Sequence, residues 1–492
     1  MPNYSYARPE YTEALLSWQL VKDCVSGGRA VKSRGVTYLP MPDPTNDSEG
    51  NKARYEALLK RAMFLNVTGR TKQGLIGAIF RKSPEADVPP NFDFLKQNAT
   101  GDGTSLEQLA KAAVSECLET GRGGFFVDMP PLGEYETPPT QAVTAGRQAH
   151  IHLCDAMSII NWREDVISGA RKLTLVVFVQ HYSDEEAGDE FAPVVRKQYW
   201  ALTLEDGYYR QRMWHEGDPY DYPRADTFPT DSNGNRFTYI PFHFFGSESN
   251  DAGIDKAPLE DLAEVNILHY GNSATVEESG FISSQPTLFF TTDASPDEFA
   301  QWNPNGIQIG STSGYALGKA GSASMVQASE SQLALSLMQE KENQMLMIGA
   351  RIVQQSGQNE TAEAARIRYS SDNSTLSTIA ANISEALKNA IADVQIFMAG
   401  NANDDKTEVW LNQEFFAETL DAQMLLAQVQ LWQQGIIARA DLRTNLRQVG
   451  IIDAGRTDDE IDADRADEPP VDAGLDTQGS QQSGNQQNGS QS

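Results

Sequence analysis

Between Pro258 and Phe397 the chain reads as helix, short β insert, helix, polar gap and long helix, and this order constrains the fold more than anything else in it. Pro258 stands where a first-turn proline is tolerated, and Leu259, Leu262, Val265 and Leu268 or His269 form a helical stripe. A compact non-helical insert follows over about 283–326, with a strand-like run Thr287–Thr292 and turn glycines at Gly306, Gly310, Gly314, Gly318 and Gly321. Ser329–Gly349 is helical again through Leu333, Leu337, Met338, Met345 and Ile348. After the polar gap Gln354–Glu360, apolar residues recur every three or four positions for six turns: Leu376, Ile379, Ile383, Leu387, Ile391 (or Ala390), Val394 and Phe397. The stripes on the two helices flanking the insert are too narrow to complete a core in one chain. Neighbouring copies are expected to supply the missing cover.

The first half is mixed, so the fold class is α+β. Helices are expected over Tyr11–Val25, Ala53–Asn66 and roughly Thr71–Phe80. Thr104 to Glu107 has the pattern of a capping box opening a helix whose apolar face is Leu106, Leu109, Ala113 and Cys117, with Gly121 as its stop. The period then shortens. Phe125–Asp128, Leu173–Gln180, Val194–Leu204, Tyr208–Trp214 and Phe237–Phe245 are strand-like, with turn chemistry such as Asn233-Gly234 between them, and suggest an antiparallel meander.

A length of 492 residues allows about three structural units. From Arg456 to Ser492 there are nine acids against two arginines, then Gly, Ser, Gln and Asn, a composition expected to stay disordered. The folded part is therefore expected over about 1–455. A net charge of −29 excludes a protein that grips nucleic acid over its whole surface. The charge is uneven, however. Residues 1–82 carry thirteen Lys/Arg against seven acids, and Lys52–Lys82 carries eight basic residues against Glu56 alone. That block reads as solvated helix faces, or as a face for nucleic acid or an acidic neighbouring subunit. Cys24, Cys117 and Cys154 show no CxxC spacing and indicate a reducing compartment. No signal pattern or bilayer-length apolar run is seen, so a cytosolic product with no membrane partner is expected.

No catalytic constellation emerges. Gly314-Tyr-Ala-Leu-Gly318-Lys319-Ala320 is one residue short of a phosphate-binding loop and has Ala320 where magnesium needs a hydroxyl. Gly121-Arg122-Gly123-Gly124 lies between helix and strand, the reverse of a dinucleotide fingerprint. His150, His152 and Cys154 would share one strand face, but three ligands from one strand rarely close a tetrahedron, so packing is the expected role and no metal is assigned. Trp162, Trp200, Trp214 and Trp302 are not interleaved with a basic stripe, so packing is favoured over base stacking. No enzyme activity, cofactor or catalytic residue is expected.

The second half nevertheless resembles one family. Pro258-Leu-Glu-Asp-Leu-Ala-Glu-Val-Asn-Ile-Leu-His-Tyr270, then Gly280–Thr292, Trp302-Asn-Pro304-Asn-Gly306, Glu360-Thr-Ala-Glu-Ala-Ala-Arg366 and Leu431-Trp432-Gln-Gln-Gly435-Ile occur in an order similar to the portal, or head–tail connector, proteins of tailed bacteriophages. Leu442, Leu446 and Gly450-Ile451, and Asn161-Trp162-Arg163 earlier, add to the likeness, which covers about 50–450. It implies an α/β wing over 1–257, stem helices at 258–282 and 329–350, a β-containing clip at 283–328 and a tunnel loop at 351–361. A long wing helix and strand at 362–418 and a helical crown at 419–455 would follow, ahead of the tail at 456–492. It further implies a ring of twelve subunits at the capsid portal vertex of the virion, made in the host cytoplasm, through which double-stranded DNA is packaged and ejected. The partners implied are the large terminase subunit, head-completion or adaptor proteins, and the major capsid and scaffolding proteins. Gln354, Gln355, Ser356, Gly357, Gln358 and Asn359 are polar and uncharged, and are the candidate channel contact if they form the tunnel loop; an ordinary helix connector is the competing reading. A capsid-associated structural or adaptor protein that never forms the channel is the alternative, and a DNA-processing enzyme of the packaging apparatus a third.

Overall fold

The computed structural model describes residues 3–129, 147–167, 169–184, 192, 194–284, 287–304, 314, 316–326, 332–353, 362–402, 407–413, 430–432, 438–448, 452 and 456–467. The chain is α+β and divides into two units, Met1–Phe415 and Phe416–Ser492.

The first unit begins with helices α1 (Pro9–Ser26), α2 (Gly28–Ser33), α3 (Glu49–Arg61) and α4 (Val67–Ile79). Their ends follow local chemistry. Proline opens α1, and Ser48 and Asn66 cap α3 and α4 by accepting from the backbone N–H groups of Asn51 and Gly69. Helix α5 (Leu106–Thr120) starts one residue later than the expected capping box. The reciprocal pair is Ser105 with Gln108, because the Thr104 carbonyl already accepts from Ala99 N at 2.7 Å in the preceding loop. Gly121, at φ 72°, ends α5 in the left-handed conformation.

Strand β2 (Arg122–Asp128) leaves that turn and lies between β3 (His150–Asp155) and β9 (Phe242–Gly246) in an antiparallel three-stranded sheet. Strands β4 (Ile159–Ile167), β5 (Ala170–Asp184), β6 (Val194–Glu205), β7 (Tyr208–His215) and β8 (Ala225–Thr227) form the antiparallel meander in sequence order. The run expected from Phe237 becomes strand only at Phe242, since Pro241 has no N–H for a ladder. Phe237 instead packs its ring 4.4 Å from Phe397. A small pair joins β1 (Glu85–Asp87) to β12 (Glu408–Trp410).

Four elements complete the first unit: α6 (Glu260–Ser283), α7 (Pro296–Trp302), α8 (Gln332–Val353) and α9 (Ala362–Ala399), with β10 (Thr287–Thr291) and β11 (Ser322–Val326) between α6 and α8. Helix α9 lies against α5, β2 and β9. Its stripe Leu376, Ile379, Ile383, Leu387, Ile391, Val394 and Phe397 is wholly buried there. Each such side chain contributes roughly 1.5–3 kcal/mol of burial, so this helix anchors the core.

In the second unit, α10 (Arg439–Gln448) and α11 (Asp458–Asp467) are described. The acidic stretch expected to be disordered from 456 thus opens with a helix. Thr457 and Glu460 form a reciprocal cap, and Arg443 and Arg447 of α10 pair with Asp462 and Asp458. The arginines neutralise charges that composition alone counted as repulsive.

Candidate functional site

All three cysteines are buried and free, and burial raises each thiol, Cys24 up to about 12. His150 and His152 lie on β3 and are held below their ordinary range by burial. No group of three or more His, Cys, Asp or Glu able to hold a metal occurs among the described residues. His243 Nε2 lies 2.7 Å from Asp393, whose other oxygen accepts from Tyr239 OH at 2.5 Å. This buried carboxylate ties α9 to β9 and the segment before it; burial and Asp393 together push the Tyr239 hydroxyl up.

The tryptophans divide. Trp214 stacks on Tyr4 and Tyr220, and Trp200 on Phe178. Trp162 lies beside the guanidinium groups of Arg8, at 4.8 Å, and Arg122, at 3.8 Å. Arg122 is 1% exposed, and burial presses its pKa down to about 9. Trp302, in contrast, is 44% exposed.

A helix–ribbon–helix unit is built by α6, β10, β11 and α8. Strands β10 and β11 pair antiparallel, Thr287 opposite Val326, close to the end of α6 and the start of α8. Further along, His269 Nε2 of α6 meets Glu342 Oε1 of α8 at 3.2 Å. The two helices therefore run side by side in opposite directions, joined by a ribbon. Capping at Ser295–Glu298 opens the short helix α7 within the insert, and Asn303 ties it to Ala316 through two hydrogen bonds of 3.1 Å. Gly318, at φ 86°, turns the chain ahead of β11, which accounts for a glycine of the phosphate-loop-like segment.

Helix α6 buries Leu262 of its expected stripe, and of the two alternatives at the stripe's end it turns His269 inward and not Leu268. Leu268 is 57% exposed, while Asn266, His269 and Ser273 are buried with Leu262, Ala263, Tyr270 and Ala274. Asn266 accepts from the Thr68 hydroxyl at 2.9 Å and donates to Leu65 O at 2.8 Å, so the polar residues pin α6 to the start of α4. Helix α8 buries Ala334 and Met345 but leaves Leu333, Leu335, Leu337, Leu346 and Met347 exposed. On β11, Ser322, Ala323, Ser324 and Met325 are exposed in succession, and since successive strand residues point to opposite sides this strand meets solvent on both faces.

The residues proposed to touch DNA, Gln354 to Asn359, lie outside the described residues, as do 305–313 of the insert and most of 419–455. The sequence reading named His269 as an alternative to Leu268 but missed Asn266 as a buried anchor; its four-residue offset from Leu262 was the available signal.

Residues 258–398 match the model of a domain of unknown function, DUF4055. No curated protein matches. Among solved structures, the chain is similar to one in the virion of a native gene transfer agent particle, at 13% identity and a TM-score of 0.39, covering 80% of this chain and 92% of that one. Chains in the neck of the empty particle computed with C6 symmetry (12% identity, 77% and 89% covered, TM-score 0.39) and of the native particle computed with C12 symmetry (12%, 79% and 92%, TM-score 0.38) also match.

Proposed function

We propose that the chain is a subunit of a homo-oligomeric ring, the portal at one vertex of a phage-like capsid, and that it has no enzymatic activity. What carries the reading is the helix–ribbon–helix hairpin, whose outer leucines and two-faced ribbon this chain leaves uncovered. An isolated two-stranded ribbon is marginal in water, and exposed leucines around a helix gain nothing until they are buried. Copies arranged head to tail around an axis bury both at once and close a ring. The resemblance of 258–397 to the stem, clip and long helix of portals supports the same arrangement, with the clip as the docking place for terminase and then head-completion proteins. An acidic subunit suits a conduit, since DNA that is weakly held keeps moving.

The experiment is electron microscopy and light scattering of the purified chain, alone and with Leu333→Asp/Leu337→Asp. Rings with a central hole that the double variant abolishes are expected. Wild-type chain that stays monomeric at all concentrations sinks the proposal, and a closed assembly without a channel favours the adaptor alternative.

A further inference from the structure

Among the cations of residues 1–82, Lys22 lies 2.7 Å from Glu116, Arg34 2.6 Å from Asp23, Lys52 3.0 Å from Glu49, Arg54 2.7 Å from Glu278, and Lys72 pairs with Glu119. Arg29, Lys32, Lys60 and Arg61 have no carboxylate salt-bridge partner among the described residues, in a chain with 68 Asp and Glu. These four line one cleft of about 500 Å³, together with Met63 and Phe64. A second hollow of about 450 Å³ shares Lys32 and Lys60 and includes one carboxylate, Glu56.

The cleft is held open by its own contacts. Lys32 Nζ donates to the Lys60 carbonyl at 3.2 Å, which fixes α2 against the end of α3. The Arg61 guanidinium lies 4.2 Å from the Phe281 ring, and its Nε is buried without a hydrogen-bond partner. Lys60 and Arg61 complement the negative end of α3, but Arg29 stands near the start of α2, where the helix end is itself positive. Helix-end electrostatics therefore does not account for the group as a whole.

We propose that this cleft binds the phosphate groups of a nucleic-acid backbone. Duplex DNA carries one charge per about 1.7 Å of axis, and four clustered cations complement that density. The net charge of −29 opposes approach at long range, but the Debye length of about 8 Å at physiological salt leaves the local cluster in control at contact. The cleft belongs to a single chain, so the inference does not depend on ring formation.

The test is fluorescence anisotropy of a short labelled duplex with the wild-type chain, Arg29→Gln/Lys60→Gln and Lys52→Gln/Arg54→Gln, circular dichroism confirming that each is folded. The cleft variant is expected to bind about tenfold more weakly at low salt, with a salt slope smaller by about 2, while the variant of the two paired cations stays near wild type. Equal binding by wild type and the cleft variant overturns the proposal, as does equal loss in both variants. Complete displacement by polyglutamate or by millimolar inorganic phosphate overturns the nucleic-acid assignment.

Discussion

His269 of α6 and Glu342 of α8 meet at 3.2 Å with unequal surroundings, the histidine 4% exposed and the glutamate side chain 40% exposed. A contact with one solvated partner is worth little, typically below about 1 kcal/mol, so it sets alignment more than stability. Met345, 1% exposed on the same helix, is expected to hold the hairpin together. Glu342→Gln should shift the chemical-denaturation midpoint only slightly, whereas Met345→Ala should cost about 2–5 kcal/mol. The reverse order would show that the polar contact holds the helices.

Asp128, at the end of β2, has its carboxyl raised to about 6 by burial, with Gln211 at 3.5 Å giving little relief. A carboxyl raised in the folded state binds its proton more tightly there than in the unfolded chain. Its favourable contribution is thus present below pH 4 and lost as pH rises through 6. Asp128→Asn should stabilise the protein above pH 6, by about 1–3 kcal/mol given the residue's remaining solvent contact, and change little below pH 4. Thermal melts across that window decide it; a variant less stable at pH 8 contradicts it.

Three glycines should respond in opposite directions to alanine. At Gly121 the φ is 72° and a Cβ would sit 2.5 Å from Asp255 O, so substitution should cost more than about 1 kcal/mol. At Gly124 a Cβ would lie 2.4 Å from the Phe242 ring, an overpacking of about 1–3 kcal/mol. Gly77, inside α4 with open space around it, should gain about 0.5–1 kcal/mol as alanine. Melting temperatures of the three variants are the measurement, and a gain at Gly121 or Gly124 refutes the close approach.

The thiols of Cys24, Cys117 and Cys154 should be silent to an aromatic disulfide reagent in the native protein and react together on denaturation, because all three are buried and raised. Rapid modification of one thiol under native conditions would show that its segment opens.

Much of the architecture was legible because it is periodic. The stripe from Leu376 to Phe397 and the two helices flanking the insert could be read directly, as could the strands on either side of Asp206-Gly207, but the insert read as non-helical holds the capped helix Pro296–Trp302. Reading failed at positions that share a signal. Thr104 and Ser105 both suit a cap, and the choice lay with a hydrogen bond from Ala99. Thr457 and Glu460 carry a capping signature that the surrounding acids concealed, and arginines on another helix made it effective.

What the residues determined by themselves is the kind and sequence of elements, since helix and strand periods, caps and left-handed glycines act over a few positions. Tertiary structure alone decided that Asn266 and His269 turn inward while Leu268 faces solvent, and that Gly123 and Gly124 leave room for the rings of Phe245 and Phe242. It also placed β2 between strands from distant parts of the chain. The reason is that burial of a polar group, or the need for an absent side chain, is settled by a partner far away in sequence. No local pattern records where that partner will arrive.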